Sequence, residues 1–242
     1  EQGMLPDVFC TDGLDPSFLE QLQCVELSKL LRTMELSDYL YLEDLKKEGD
    51  VYALPTAVQT GIVYGSQAKT ELSQSSVTLD TLAQWSGSLG YADTQDAFAR
   101  FQNPDDPVAW IVGDLSDMDA VEEVTVEAVP STDFSAVPLV QDEKLIGSME
   151  HWYVVKKSED ENRQDAGMTL LSLLLSEGMQ SAAYMDNRDG LPLNRAVLDS
   201  YKENKLTTYL NFLKDYNLEE IQFYNENDLC STVRQETEKL LN

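Results

Sequence analysis

A chain of 242 residues can hold one large domain or two lobes, since single cores rarely grow past roughly 250–300 residues. Its 42% apolar content is that of a globular protein, and its longest apolar run, "MTLLSLLL" at 168–175, is far below the ~20 residues that span a bilayer. Seventeen Lys and Arg against 44 Asp and Glu leave a formal charge of −27, which repels phosphate backbones and anionic lipid headgroups and argues against nucleic acid as a partner.

In chain order, "GMLPDVFCTD" predicts a short buried strand, Val8 to Cys10, entered from a Pro turn. Asp15 and Pro16 have the form of an N-cap and first helical residue. Phe18, Leu22 and Val25, then Leu27, Leu30, Leu31 and Met34, recur at helical spacing. Residues 38–48 predict a further short helix, ended by Gly49-Asp50. Strands are expected at about 51–54 and 61–65, with "PTAVQT" as the loop between them. "SSVTLDTLAQWSGSLG" reads as a capped helix, and 93–102 as another, closed by the breaker "NPDDP". "VAWIVGD" at 108–114 has the continuous apolar character of a strand in the middle of a sheet. "VEEVTVEAVP" alternates like a half-exposed strand, and "HWYVVKK" is β-rich. The clearest helix runs from about Asn162 to Met185, with Ala166, Leu170, Leu171, Leu174 and Leu175 as its apolar stripe, until Gly190-Leu191-Pro192. The last fifty residues are helical in pattern and rich in Tyr. Strands alternating with helices predict an α/β protein with mixed sheets.

Chemistry-bearing residues are sparse. Cys10, Cys24 and Cys230 form no CxxC pair and no metal-ligand spacing. Cys10 and Cys24 fit either a short disulfide or two small buried side chains. The single His151 excludes a multi-histidine metal site and leaves little room for a Ser-His-Asp triad. Glu1-Gln2-Gly3 shows neither the basic nor the apolar region of a secretory leader, as is also true of a mature secreted chain.

The order of motifs resembles the extracytoplasmic solute-binding proteins of ABC transporters, in the group that includes maltose- and oligosaccharide-binding lipoproteins. Gly3-Met4-Leu5-Pro6-Asp7-Val8 is similar to that family's early Gly-x-x-Pro-Asp-Val. Gly49 to Pro55 matches Gly-x-x-Tyr-x-Leu-Pro, and Val63-Tyr64-Gly65 stands where the family has a strand ending in Tyr-Asn. Thr78 to Leu82 is similar to a Thr-Trp-Asp-Glu-Leu helix start, with Leu79 at the Trp position, and Phe101 to Gly113 to a Phe-x-x-Gly-x-x-Ala-Met strand. The most specific block is Val155-Lys156-Lys157-Ser158, the helix from Ala166 through "LLLSEGMQ", and Gly190-Leu191-Pro192.

The resemblance implies a periplasmic-binding-protein-like (type II) two-lobe fold. Lobe segments are expected at 1–75 with 126–184, and at 76–125 with 185–242, the second lobe reduced. The family carries a strand and helix before the Pro-Asp-Val segment, which here lies almost at the start. The function so implied is capture of an extracellular solute, carbohydrate above all, for delivery to membrane permease subunits, by a monomer without cofactor or enzymatic activity, lipid-anchored in its precursor. Sugars place C–H faces on aromatic rings and pair their hydroxyls with polar side chains, because an unpaired buried hydroxyl costs about 1–3 kcal/mol. Residues at strand exits therefore become the ligand-binding candidates: Thr11, Asp12, Thr56, Gln59, Trp85, Asp114, Met149, Glu150 and Trp152. Trp110 and Trp152 fit a core position better than a ligand contact and Trp85 fits either, while Asp12 and Asp114 fit capping or strand-ending equally. Three other functions fit some of these features: a cationic, polyamine-like solute favoured by charge and Tyr content, a surface interaction module, and a glycosidase with a carboxylate pair.

Overall fold

The computed structural model describes residues 6–12, 14, 22–47, 49–66, 69–70, 74–118, 134–184, 190–204, 211–224 and 229–241. The expected Asp15–Pro16 helix start and the alternating run at 121–130 lie outside them. The chain forms two compact units: Glu1–Val58 with Met149–Asn187 and Leu191–Tyr201, and Gln59–Ser148 with Arg188–Gly190 and Lys202–Asn242. These units of packing are cut at other positions than the lobes expected from the sequence.

The first unit is organised by a three-stranded antiparallel sheet in which β10 (Tyr153–Val155) lies between β1 (Val8–Cys10) and β2 (Ala53–Leu54). Val8 faces Val155, Cys10 faces Tyr153, and Tyr153 in turn faces Leu54. The β-branched pair Val154 and Val155 and the apolar Leu54 are buried, which is what a central strand of this composition favours. Residues 22–27 depart from expectation. Their helical spacing is overridden by sheet bonding: Cys24 bridges Lys156, Val25 N–H donates to Val155 O at 2.8 Å, and Leu27 N–H to Val51 O at 2.7 Å. Among the described residues of this stretch only α1 (Ser28–Leu31) is α-helical, and α2 (Leu42–Lys47) follows it.

Against this sheet packs α5 (Glu161–Leu174), started by the Asp160 carboxylate accepting from Asn162 N–H at 3.0 Å. A Cβ on Gly167 would lie 2.7 Å from Val155 Cγ1, so glycine allows the close approach of helix and strand. The buried face is Gly167, Leu171 and, past the helix end, Leu175; Ala166 and Leu170 are exposed. The expected stripe is thus rotated, because the helix turns its smallest residue to the sheet. The expected single helix is two. Ser176 N–H closes on Leu173 O at 3.0 Å, and α6 (Glu177–Tyr184) begins after it. Beyond Gly190, β11 (Leu191–Pro192) pairs antiparallel with Ala57 and Val58, and α7 (Arg195–Asn204) follows.

In the second unit β4 (Ile62–Ser66) is central, antiparallel to both β7 (Trp110–Gly113) and β8 (Phe134–Gln141). Ile62, Val63 and Tyr64 are wholly buried. Parallel neighbours are β6 (Leu89–Tyr91) on β7, β5 (Val77–Thr78) on β8, and β12 (Gln222–Phe223) on β9 (Lys144–Glu150). The β8–β9 hairpin, absent from the sequence expectations, turns through Asp142 and Glu143, both with positive φ (49° and 65°). Helix α3 (Leu79–Gln84) is capped by the Thr78 hydroxyl and, with α8 (Leu229–Leu240), covers a core of Val63, Val77, Val112, Leu139 and Leu82. Helix α4 (Ala97–Gln102) lies within the stretch expected at 93–102.

The segment "PTAVQT" is not the loop expected between strands. Ala57–Thr60 forms β3, every residue of it buried. Proline at 55 ends one extended segment and the chain resumes pairing at once.

Candidate functional site

Six of the nine candidate residues fall in the first unit, and the β1–β10 pair brings their backbones together. β1 ends at Cys10, and Thr11 N–H donates to Trp152 O at 2.7 Å, with the Thr11 hydroxyl reaching the same oxygen at 3.1 Å. One residue on, the Asp12 carboxylate accepts from His151 N–H at 2.8 Å and Trp152 N–H at 3.1 Å. Its Oδ2 also lies 3.0 Å from His151 Nδ1. His151 adopts φ of 56°, a left-handed conformation uncommon for a residue with a side chain. The clasp by Asp12 holds that turn between β9 and β10.

The other members join through the same turn. Trp152 Nε1–H donates to Met149 O at 2.8 Å, fixing the indole, which is half-buried rather than in the core. Thr56 N–H donates to Glu150 O at 3.2 Å, and the Thr56 hydroxyl lies 3.4 Å from His151 O and 3.3 Å from the Tyr184 hydroxyl. Gln180, 1% exposed, anchors this corner: its Nε2 donates to Thr56 O at 3.0 Å and Leu174 O at 3.2 Å, while its Oε1 accepts from Leu193 N–H at 2.8 Å. His151, Tyr184 and Gln180 were not legible as members of this cluster. His151 alone carried a signal, as the sole histidine next to Trp152.

The remaining three candidates belong to the second unit. Gln59 is buried in β3, and its Oε1 has no hydrogen-bond partner among the described residues. Trp85 stacks on the core Trp110, ring centroids 4.1 Å apart and planes within 10°. Asp114 ends β7 and its carboxylate accepts from Ser116 N–H at 2.7 Å and the Ser116 hydroxyl at 2.6 Å, the strand-exit role that its alternative reading gave it.

Electrostatics single out Asp12. Partial burial pushes its carboxyl up, yet hydrogen bonds from His151, the Trp152 N–H and Cys10, and the charge of His151, hold it below its ordinary value. A carboxyl depressed in the folded state contributes stability above its unfolded pKa of about 3.9 and loses it as pH falls through the lower folded value. Asp12→Asn is therefore expected to cost about 1 kcal/mol at neutral pH, a figure kept small by solvent exposure. The gap between variant and parent closes below about pH 4. Urea unfolding at pH 7 and pH 3 checks this; a gap independent of pH overturns it. Burial pushes the Cys10 thiol up, with the nearby Asp12 carboxylate adding to it. Cys10 and Cys24 are both free thiols, so the disulfide alternative is not adopted. Cys10, Asp12 and His151 each direct a ligand-type atom into one spot, within 4.8 Å of one another. Spacing along the chain gave no hint of this, since 141 positions separate Cys10 from His151.

Neither protein-family models nor curated protein sequences match this chain. Solved structures do. A Streptococcus pneumoniae solute-binding protein in complex with the blood group A-trisaccharide superposes with a TM-score of 0.62 at 12% identity, covering 99% of this chain and 80% of that one. The GacH receptor of Streptomyces glaucescens, solved unliganded and with acarbose, gives 0.60 at 13% identity, covering 98% and 78%. UgpB from Mycobacterium tuberculosis, in complex with glycerophosphocholine, gives 0.55 at 12% identity, covering 98% and 83%. At these identities the likeness speaks for the fold, and it extends over nearly the whole chain. The chain has the α/β, periplasmic-binding-protein-like fold of sugar-binding solute-binding proteins.

Proposed function

We propose that this protein is the extracytoplasmic solute-binding component of an ABC importer, that its solute is a saccharide, and that it hands this solute to membrane permease subunits. The observation that carries the reading is the fold: its structural neighbours hold a trisaccharide and acarbose on the same architecture. Candidate ligand contacts are Thr11, Asp12, Thr56, Met149, Glu150 and Trp152 in the first unit and, separately, Trp85 and Asp114 in the second; Gln59, 1% exposed, has no surface to offer one. Trp152 offers the half-buried indole on which a sugar ring packs, and Asp12 the carboxylate that accepts from hydroxyls. Binding without catalysis, attachment of the precursor to the cell surface by lipid, and a monomeric state belong to the same proposal.

A thermal-shift panel of mono- to tetrasaccharides tests it. A saccharide at 100 times its Kd stabilises the native state by about 2.7 kcal/mol, so at least one is expected to raise the melting temperature, and Trp152→Ala to abolish that rise. A panel without any shift overturns the saccharide reading. The formal charge of −27 favours a second reading, a cationic solute. Spermidine and putrescine in the same panel decide between them, because a rise with these alone replaces sugar by polyamine.

A further inference from the structure

We propose that Cys10, Asp12 and His151 form a binding site for a borderline divalent transition metal, Zn²⁺ above all. The site requires neither a sugar nor the transport reading. The three side chains supply a thiolate, a carboxylate and an imidazole nitrogen, a donor set that suits Zn²⁺ or Co²⁺ and not the oxygen-seeking Mg²⁺ or Ca²⁺. Their ligand atoms all lie within 4.8 Å of one another, and His151 Nδ1 and Asp12 Oδ2 are already 3.0 Å apart. In a tetrahedral zinc site with bonds of about 2.0–2.3 Å, ligand atoms sit roughly 3.3–3.6 Å from each other. The nitrogen and oxygen need open by only a few tenths of an ångström, and the thiol need close by at most roughly 1.2–1.5 Å, a shift on the scale of a side-chain rotation.

The scaffold holds the ligands independently of any ion. Cys10 is paired with Tyr153 in the β1–β10 ladder, and Thr11 is bonded twice to Trp152 O. The Asp12 carboxylate accepts from the backbone N–H groups of His151 and Trp152. These bonds are the kind of outer support that orients a ligating carboxylate and raises metal affinity. Oδ2 has a second lone pair, now directed at His151 Nδ1; a cation among the three side chains would replace that contact and the bond from the Cys10 thiol, and leave the backbone clasp intact. The left-handed backbone at His151 turns its ring back toward Asp12 instead of along the strand. Two anionic ligands neutralise the 2+ charge, and a chain of net −27 favours entry of a cation. Three protein ligands leave a fourth position for water or for a group of another molecule.

Cobalt makes the test direct. The full chain, reduced and metal-free, is titrated with Co²⁺ in the absence of sugar. Expected are one equivalent bound, a thiolate-to-cobalt charge-transfer band in the near ultraviolet, tetrahedral d–d bands in the visible, and displacement of both by Zn²⁺ but not by Mg²⁺. Cys10→Ser removes the charge-transfer band and Cys24→Ser leaves it. His151→Gln weakens Zn²⁺ by about 100-fold or more, at or beyond the top of the range for outer-shell changes. Melts in chelator establish that the variants fold. A readout without variants is alkylation by iodoacetamide with peptide mapping: one equivalent of Zn²⁺ protects Cys10 and not Cys24. Binding without a charge-transfer band, a band lost in Cys24→Ser instead of Cys10→Ser, or alkylation of Cys10 unaffected by Zn²⁺ overturns the proposal. Failure here leaves the saccharide reading standing, and an unresponsive sugar panel leaves the metal site standing.

Discussion

Gly65→Ala is expected to lower the unfolding free energy by about 1–3 kcal/mol, and Gly65→Asn by more, through overpacking against an aromatic ring that has nowhere to go. A Cβ at position 65 would sit 2.6 Å from Trp110 Cζ3 and 2.9 Å from Cε3. Trp110 is 6% exposed and stacked on Trp85, and position 65 is itself inside β4, paired with Trp110 on one side and Ser135 on the other. Neither the ring nor the strand can retreat without breaking the stack or the ladder. Urea midpoints followed by tryptophan fluorescence measure the loss. A double-mutant cycle with Trp110→Phe assigns it: if the clash is the cause, the double variant costs less than the two single variants together, by more than the ~0.5 kcal/mol within which independent sites add. Simple additivity would place the cause elsewhere.

The result bears on function because the family resembled in sequence carries Asn where this chain has Gly65. Read as sequence, the difference suggests an altered ligand. The structure supplies a different cause, a tryptophan packed over the strand that leaves no room for a side chain. Gly65 therefore says nothing about which solute is bound, and the saccharide reading is not weakened by it.

The same contrast explains which parts of the fold could be read in advance. Strands with unbroken apolar runs, such as Trp110–Gly113, and helices with a cap, such as Leu79–Gln84 behind Thr78, announce themselves locally. Residues 22–27 carry helical spacing yet lie extended, since their N–H groups are satisfied by Val155 and Val51, partners far along the chain. In α5 the apolar stripe was legible but its phase was not. Gly167, which hydropathy ignores, faces Val155 and turns Leu170 to the solvent, 41% exposed. For the candidate site, reading strand exits singled out Thr11, Asp12 and Trp152, and the ends of β1 and β10 bring these three together. It could not find Gln180 or Tyr184, which arrive from a helix whose start depends on the break after Leu175, nor the convergence of Cys10 and His151.

Gln180 is where that hidden part of the structure is most exposed to test. Replacing it with methionine, of similar length and apolar, is expected to cost about 3 kcal/mol or more, since each buried backbone group left without a partner costs about 1–3 kcal/mol. Its amide nitrogen serves Thr56 O and Leu174 O, and its oxygen serves Leu193 N–H at 2.8 Å with Asn194 N–H at 3.4 Å. No other single side chain among the described residues is shown tying the segment before β3, the end of α5 and the segment after β11 together. Gln180→Glu separates hydrogen bonding from packing. The ionised carboxylate keeps the acceptor for Leu193 but has no donor for Thr56 or Leu174, and burial penalises its charge, so its folded pKa is raised above the unfolded value. A raised folded pKa gives stability that is present in acid and lost as pH rises through it. The Glu variant is therefore expected to approach the parent near pH 4, an unfolded-state carboxyl value, and to fall away from it toward neutrality, while the Met variant stays destabilised throughout. Urea unfolding across that range reads both curves, and a Glu variant as stable as the parent at pH 7 would mean that Gln180 does not hold this corner through its donors. If it does, its loss also loosens Thr56, and any saccharide found to raise the melting temperature of the parent is expected to bind the Met variant more weakly, although Gln180 itself is buried and has no surface to offer a ligand.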